Sequence, residues 1–225
     1  MYELLYILLK IKIFMWMMIY LDKLVVFFKY KNPYYFVHFV TNSLIVYITI
    51  GDVISLYYNF QQNKYNECDL DSVWLITALH IYHLIYHSKK INVQDLIHHI
   101  PTLFAQCIIP LTTGYNNILI SHITFYLCGL PGGIDYLLLF LVRNNKLDKM
   151  TEKRVNKFLN MWIRCPGTIM SAAFVITEIP SLNDYLQLLC AILTFIFSYW
   201  NGIYYNERVI TDYAIQNYNN KIMKI

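Results

Sequence analysis

Charged side chains are scarce in this sequence. Only 14% of its 225 residues are Asp, Glu, Lys or Arg, and 57% are hydrophobic, against roughly 25% charged and 45–50% apolar in soluble domains. The mean hydropathy is +0.40. That balance excludes an ordinary soluble domain and describes a polytopic membrane protein, for which no nucleic-acid partner is expected. No Gly/Ser-rich linker and no internal repeat divides the chain. The five cysteines (Cys68, Cys107, Cys128, Cys165 and Cys190) stand far apart without a CxxC pair, so they read as small buried hydrophobes and not as a disulfide or metal framework. No Asn-x-Ser/Thr sequon occurs. The N-terminus carries no signal-peptide cleavage pattern, so the apolar run from Leu4 to Tyr20 is expected to remain as a first helix.

What the sequence does have is long apolar runs. A spanning helix needs ~20 predominantly apolar residues, and seven segments qualify: approximately 4–20, 35–58, 72–87, 95–112, 117–142, 157–178 and 185–205. The first is the weakest, because Lys10 and Lys12 would sit near mid-membrane unless they snorkel or the helix lies at the interface. The expected fold is therefore an all-α bundle of six or seven transmembrane helices. It divides into an N-terminal apolar helix with a basic linker at 1–34, a transmembrane domain at 35–205 and a cytoplasmic tail at 206–225. Lysine and arginine accumulate on the cytoplasmic side of membranes. Here the connections holding Lys23, Lys29 and Lys31, then Lys89 and Lys90, then Arg143 to Lys157 alternate with connections holding Glu67, Asp69 and Asp71, then no charge, then Glu178 and Asp184. The basic connections and the C-terminus are accordingly expected in the cytoplasm.

This orientation gives each intramembrane polar residue a depth. His98 and His99 lie about a turn inside the cytoplasmic face, as does His83, while Asp135, Arg164 and Asn201 lie one to two turns inside it on three other helices. Ionisable residues facing lipid are costly, so such a layer makes sense around a buried cavity. His122 enters from the opposite side and is left out of it. Asp135 and Arg164 are read as a buried ion pair. The Gly129-Leu130-Pro131-Gly132-Gly133 run is expected to break its helix and aim a half-helix N-terminus at the cavity. His80, His83 and His87 share one helical face. An iron site of the membrane-hydroxylase kind would need about eight histidines in HxxxH and HxxHH boxes. The chain has seven, with His38 and His122 placed elsewhere; no metal is expected.

Four landmarks, in order, resemble the TLC domain shared by translocating-chain-associated membrane proteins, Lag1-type ceramide synthases and CLN8-like proteins. Asp95-Leu96-Ile97-His98-His99 with Thr102 resembles that domain's Asp…His-His…Thr block. The polar-interrupted fifth span resembles the segment that follows, Trp162-Ile163-Arg164-Cys165-Pro166 resembles its Arg…Pro helix, and Tyr199-Trp200-Asn201 resembles its last helix. The resemblance implies a TLC-like fold over 35–205 in the endoplasmic reticulum or a related internal membrane. It also implies a long-chain lipid ligand, with a sphingoid base as acceptor, acyl-CoA as co-substrate and no other cofactor. Carried over, His98 or His99 would be the general base of an N-acyl transfer, with Asp95, His83, Asp135, Arg164 and Asn201 binding substrate. Ceramide synthases also share a His-Asp…Asp element after the pair; here His122 is followed by Ile123 and Asp135 comes well downstream. A non-catalytic lipid-sensing, trafficking or membrane-organising role is therefore the second reading.

Overall fold

The computed structural model describes residues 2–63, 66–87 and 117–222. Among them the regular secondary structure is helical, apart from one isolated antiparallel bridge between Glu67 and Asn117. Helix α1 runs Tyr2–Phe27, α2 Pro33–Tyr58, the single turn α3 Phe60–Asn63 and α4 Asp71–Tyr86. Beyond the 88–116 segment come α5 at Ile118–Arg143, α6 at Lys149–Ser181 and α7 at Tyr185–Ile222. Five of these (α1, α2, α5, α6 and α7) are long and apolar enough to cross a membrane. Their outward faces carry exposed apolar side chains such as Leu5, Trp16, Tyr47 and Trp162, an arrangement that suits lipid and not water. The expected span at 95–112 lies outside the described residues.

α1, the first expected span, packs inward by one face: Ile7, Ile11, Phe14, Met18 and Val25 fall on it, and the first four pack with Val73, Trp74 and Tyr82 of α4. Lys10 pairs with Asp71 at the start of α4, and Tyr82 donates to Asp22 Oδ1 at 3.1 Å near its end. The two helices therefore run side by side in the same direction, and the lysine's charge is compensated. α4 has 16 residues, about 24 Å of helix, short of the ~30 Å hydrocarbon core. It is also buried without interruption from Ser72 to His80. An interior helix has no lipid-facing side.

Both long helices α5 and α6 contain one widened π turn, at Phe125–Gly129 and at Asn160–Arg164. Each is followed two residues later by a proline, Pro131 or Pro166. A proline ring clashes with the carbonyl four residues back, and a wider turn relieves that clash: Leu130 N–H reaches Phe125 O and Cys165 N–H reaches Asn160 O. The break expected at Gly129–Gly133 is thus an under-wound turn inside a continuous helix, and no half-helix N-terminus is exposed there.

Charge separates the two ends of the bundle. At one end Asn144 exchanges hydrogen bonds with the backbone of Lys31 (2.8 and 3.1 Å) and Lys146 donates to Tyr30 Oη at 3.1 Å, joining two basic connections. At the other end Asn117 donates to Glu178 and caps α5 by accepting from Leu119 N–H at 3.1 Å. α7, with 38 residues, is about 57 Å long and overshoots a bilayer. Beyond the basic end it pairs with the first turns of α6: Lys153 bridges Asp212 at 2.8 Å, Lys149 donates to Gln216 at 3.0 Å and Lys157 lies over Tyr213. Residues 206–222, expected as a tail, continue this helix.

Candidate functional site

α2 carries the centre of the polar layer. His38, Thr41 and Asn42, at i, i+3 and i+4, lie on one buried face. The His38 ring stacks on His83 of α4 at 4.4 Å between centroids and lies 4.1 Å from Tyr136 of α5, while Tyr34 stacks on His83 at 4.6 Å. His38 Nδ1 meets the Tyr34 carbonyl at 2.8 Å. His87 stands 6.2 Å from His83 and bonds Tyr82 Oη through Nε2 at 3.1 Å. Because Tyr82 gives its only proton to Asp22, the His87 Nε2 is the donor. His38, which the sequence reading placed elsewhere, therefore belongs with His83, and the three helices meet through a stack of aromatic rings. Among the described residues no group of three or more His, Cys, Asp or Glu side chains could hold a metal.

The layer continues toward Arg164. A β-carbon at Gly132 would come within 2.8 Å of Asn42 Nδ2 and 3.7 Å of Arg164 Nη2, so the missing side chain is what lets α2, α5 and α6 approach. Along α6 the residues Glu152, Asn156, Asn160, Arg164 and Thr168 repeat every four positions and line one inward row. Arg164 Nη1 donates to Asn160 Oδ1 at 3.0 Å, and Asn160 Nδ2 donates to Asn156 Oδ1 at 2.6 Å. Asp135 follows Gly132 by one turn on the same face of α5. The ion pair expected between Asp135 and Arg164 is not formed: the ion pairs within 4 Å among the described residues are Lys10–Asp71, Lys153–Glu152 and Lys153–Asp212. Instead Asp135 Oδ1 and Arg164 Nε are each buried without a hydrogen-bond partner among the described residues, as are Thr41 Oγ1, Glu152 Oε1 and Asn206 Oδ1. Asn201 is buried where α7 crosses α6, beside Gly202, whose absent β-carbon leaves room for Thr168 and Cys165. Asp95, His98, His99 and Thr102 lie outside the described residues.

A second polar centre sits in the other half of the bundle, around the residue excluded above. His122 is fully buried, with Nδ1 2.7 Å from Ser171 Oγ and Nε2 3.0 Å from Tyr57 Oη. Ser171 donates its proton to Gly167 O at 2.9 Å. His122 must therefore donate from Nδ1 and accept at Nε2 from Tyr57, whose oxygen in turn lies 3.2 Å from that of Tyr126. Both ring nitrogens are committed to joining α2, α5 and α6. Nearby, Ser121 donates to Asp52 at 2.5 Å. Burial pushes the Cys68 thiol, outside the spans, up to about 12, so it stays protonated and is no nucleophile.

Five membrane-length helices with apolar outer faces, holding charged and amide side chains inside, define an integral, multi-pass membrane protein. Comparison with protein-family profiles, with curated proteins and with solved structures finds no match to the chain.

Proposed function

We propose that the protein binds a long-chain membrane lipid whose head group occupies the layer between α2, α5, α6 and α7. One observation carries this reading: Thr41 Oγ1, Asp135 Oδ1, Arg164 Nε and Asn206 Oδ1 are buried in an apolar bundle with their hydrogen bonds unmade. An unsatisfied buried polar group costs about 1–3 kcal/mol, more when charged. Four of them are tolerable where a polar ligand supplies the missing partners. The apolar outer surface supports acyl chains as the rest of that ligand. The proposed setting is the endoplasmic reticulum or a related internal membrane, with the basic end and the C-terminus cytoplasmic.

Within this reading, the resemblance to the TLC domain supports an acyl-CoA-dependent N-acyltransferase. His98 or His99 would take a proton from the amine of a sphingoid base as its nitrogen attacks the thioester carbonyl, and the coenzyme A thiolate would leave and be protonated. A non-catalytic lipid-handling role is favoured by His122, whose ring nitrogens are both occupied by Ser171 and Tyr57 and are not available for proton transfer. Lipid mass spectrometry of the purified protein tests the common reading: a co-purifying lipid supports it, and a protein free of lipid at every purification condition overturns it. Assays separate the two forms. Acid–base chemistry predicts that His98→Ala or His99→Ala lowers amide formation by ~10²-fold or more with little change in folding, whereas a wild type that carries lipid and forms no amide leaves the non-catalytic form standing.

A further inference from the structure

We infer that the head group held at Arg164 and Asp135 is zwitterionic, the phosphoethanolamine of an ethanolamine phospholipid; this rests on the lipid-binding reading above. The two side chains flank Gly132, the guanidinium beside it and the carboxylate one turn beyond it, and yet do not pair with each other. Each keeps one buried polar atom unpartnered, Arg164 Nε as a donor and Asp135 Oδ1 as an acceptor. A lone anion would leave the carboxylate uncompensated, and a lone cation would leave the guanidinium so. Leaving a buried charge unpaired is strongly unfavourable. A ligand carrying both charges answers both needs at once.

The unmade bond at Asp135 narrows the cation. Asp135 Oδ1 is an acceptor without a donor, so it calls for N–H donors on the positive group. A primary ammonium offers three such donors, whereas a quaternary ammonium offers none, which excludes choline. A serine head group would bring an extra carboxylate against Asp135.

Depth agrees with this polarity. Counted along α5 toward the basic end, Gly132 with its adjacent guanidinium comes before Asp135 by three residues, about 4.5 Å. The anion subsite is therefore the deeper one and the ammonium subsite the shallower. A phospholipid in the leaflet at the basic end presents its phosphate deeper than its amine.

The test uses the full-length protein in nanodiscs, with native mass spectrometry reading lipid retention from mixtures of phosphatidylethanolamine, phosphatidylcholine and phosphatidylglycerol of identical acyl chains. The wild type is expected to retain the ethanolamine lipid over the choline lipid by about tenfold or more, the scale set by a hydrogen bond to a charged group. Asp135→Asn should reduce that preference to within about threefold while some phospholipid is still retained, and Arg164→Gln should lower retention of both. Should either variant fail to fold, the wild-type comparison of the ethanolamine and choline lipids still decides the inference. Equal retention of the two zwitterionic lipids, or a preference for phosphatidylglycerol, overturns the inference. Retention of a sphingoid base without phospholipid overturns it and leaves lipid binding standing; retention of no lipid fells both.

Discussion

At the residue scale, the sharpest contrast lies between two polar centres built on the same three helices. Around His122 every bond is made: Ser171 fixes the tautomer and Tyr57 donates to the free nitrogen. Around Arg164 several bonds are unmade. The first arrangement is what a locking element requires, and the second is what a ligand site requires. It follows that Tyr57→Phe, which strands a buried ring nitrogen, should destabilise the protein by about 1–3 kcal/mol. Adding His122→Phe removes the other end of that bond as well, so the double variant should cost less than the sum of the singles, with a coupling of about 0.5–3 kcal/mol. Denaturant unfolding in micelles measures this, and additive losses would mean the network does not act as a unit. Asp135, Arg164 and Asn201 were legible in the sequence because each interrupts an apolar run. His38 was not, although His38, Thr41 and Asn42 show the i, i+3, i+4 spacing of one helical face. What the sequence lacked was any sign that this face turns toward α4.

At the scale of the element, two glycines with the same local propensity should answer oppositely to substitution. Gly51 lies exposed in α2 with nothing within 4 Å of a β-carbon, so Gly51→Ala should stabilise the helix by roughly 0.5–1 kcal/mol. At Gly167 a β-carbon would collide with the ring and β-carbon of Tyr126. Gly167→Ala should force α5 and α6 apart and cost about 1–3 kcal/mol. Thermal melting of the two variants side by side checks the pair, and equal shifts would refute the close approach. The helices themselves were readable from apolar runs. Their internal detail was only half so: Pro131 announced a disturbance in α5, but the same residue type at Pro166 produced the same widened turn beside Arg164 and was read only as part of a motif. Proline marks where a helix must yield; whether it breaks or widens depends on the neighbours that hold the two halves in line.

For the whole molecule, the alternation of basic and acidic connections was the most informative part of the sequence, because membrane insertion acts on loop charge regardless of packing. The fold sets those of the connections that fall among the described residues at opposite ends: Tyr30, Lys31, Asn144 and Lys146 interlock at one, while Asp71 pairs with Lys10 and Asn117 with Glu178 toward the other. Burial was less legible, since a run such as 72–87 reads alike whether it meets lipid or other helices, and only packing reveals α4 as an interior helix. The extension of α6 and α7 past the basic end makes the orientation testable at sites where labelling disturbs no span. In a variant with the five native cysteines changed to alanine, Lys149→Cys, at the exposed start of α6, should react with a membrane-impermeant maleimide only from the cytoplasmic side. Gln61→Cys, exposed in α3, should react only from the opposite side. If both react from one side, the two ends do not lie across a bilayer. If each reacts only from the side expected of the other, the positive-inside assignment fails, and the leaflet from which the proposed lipid would reach Arg164 must be exchanged for the other.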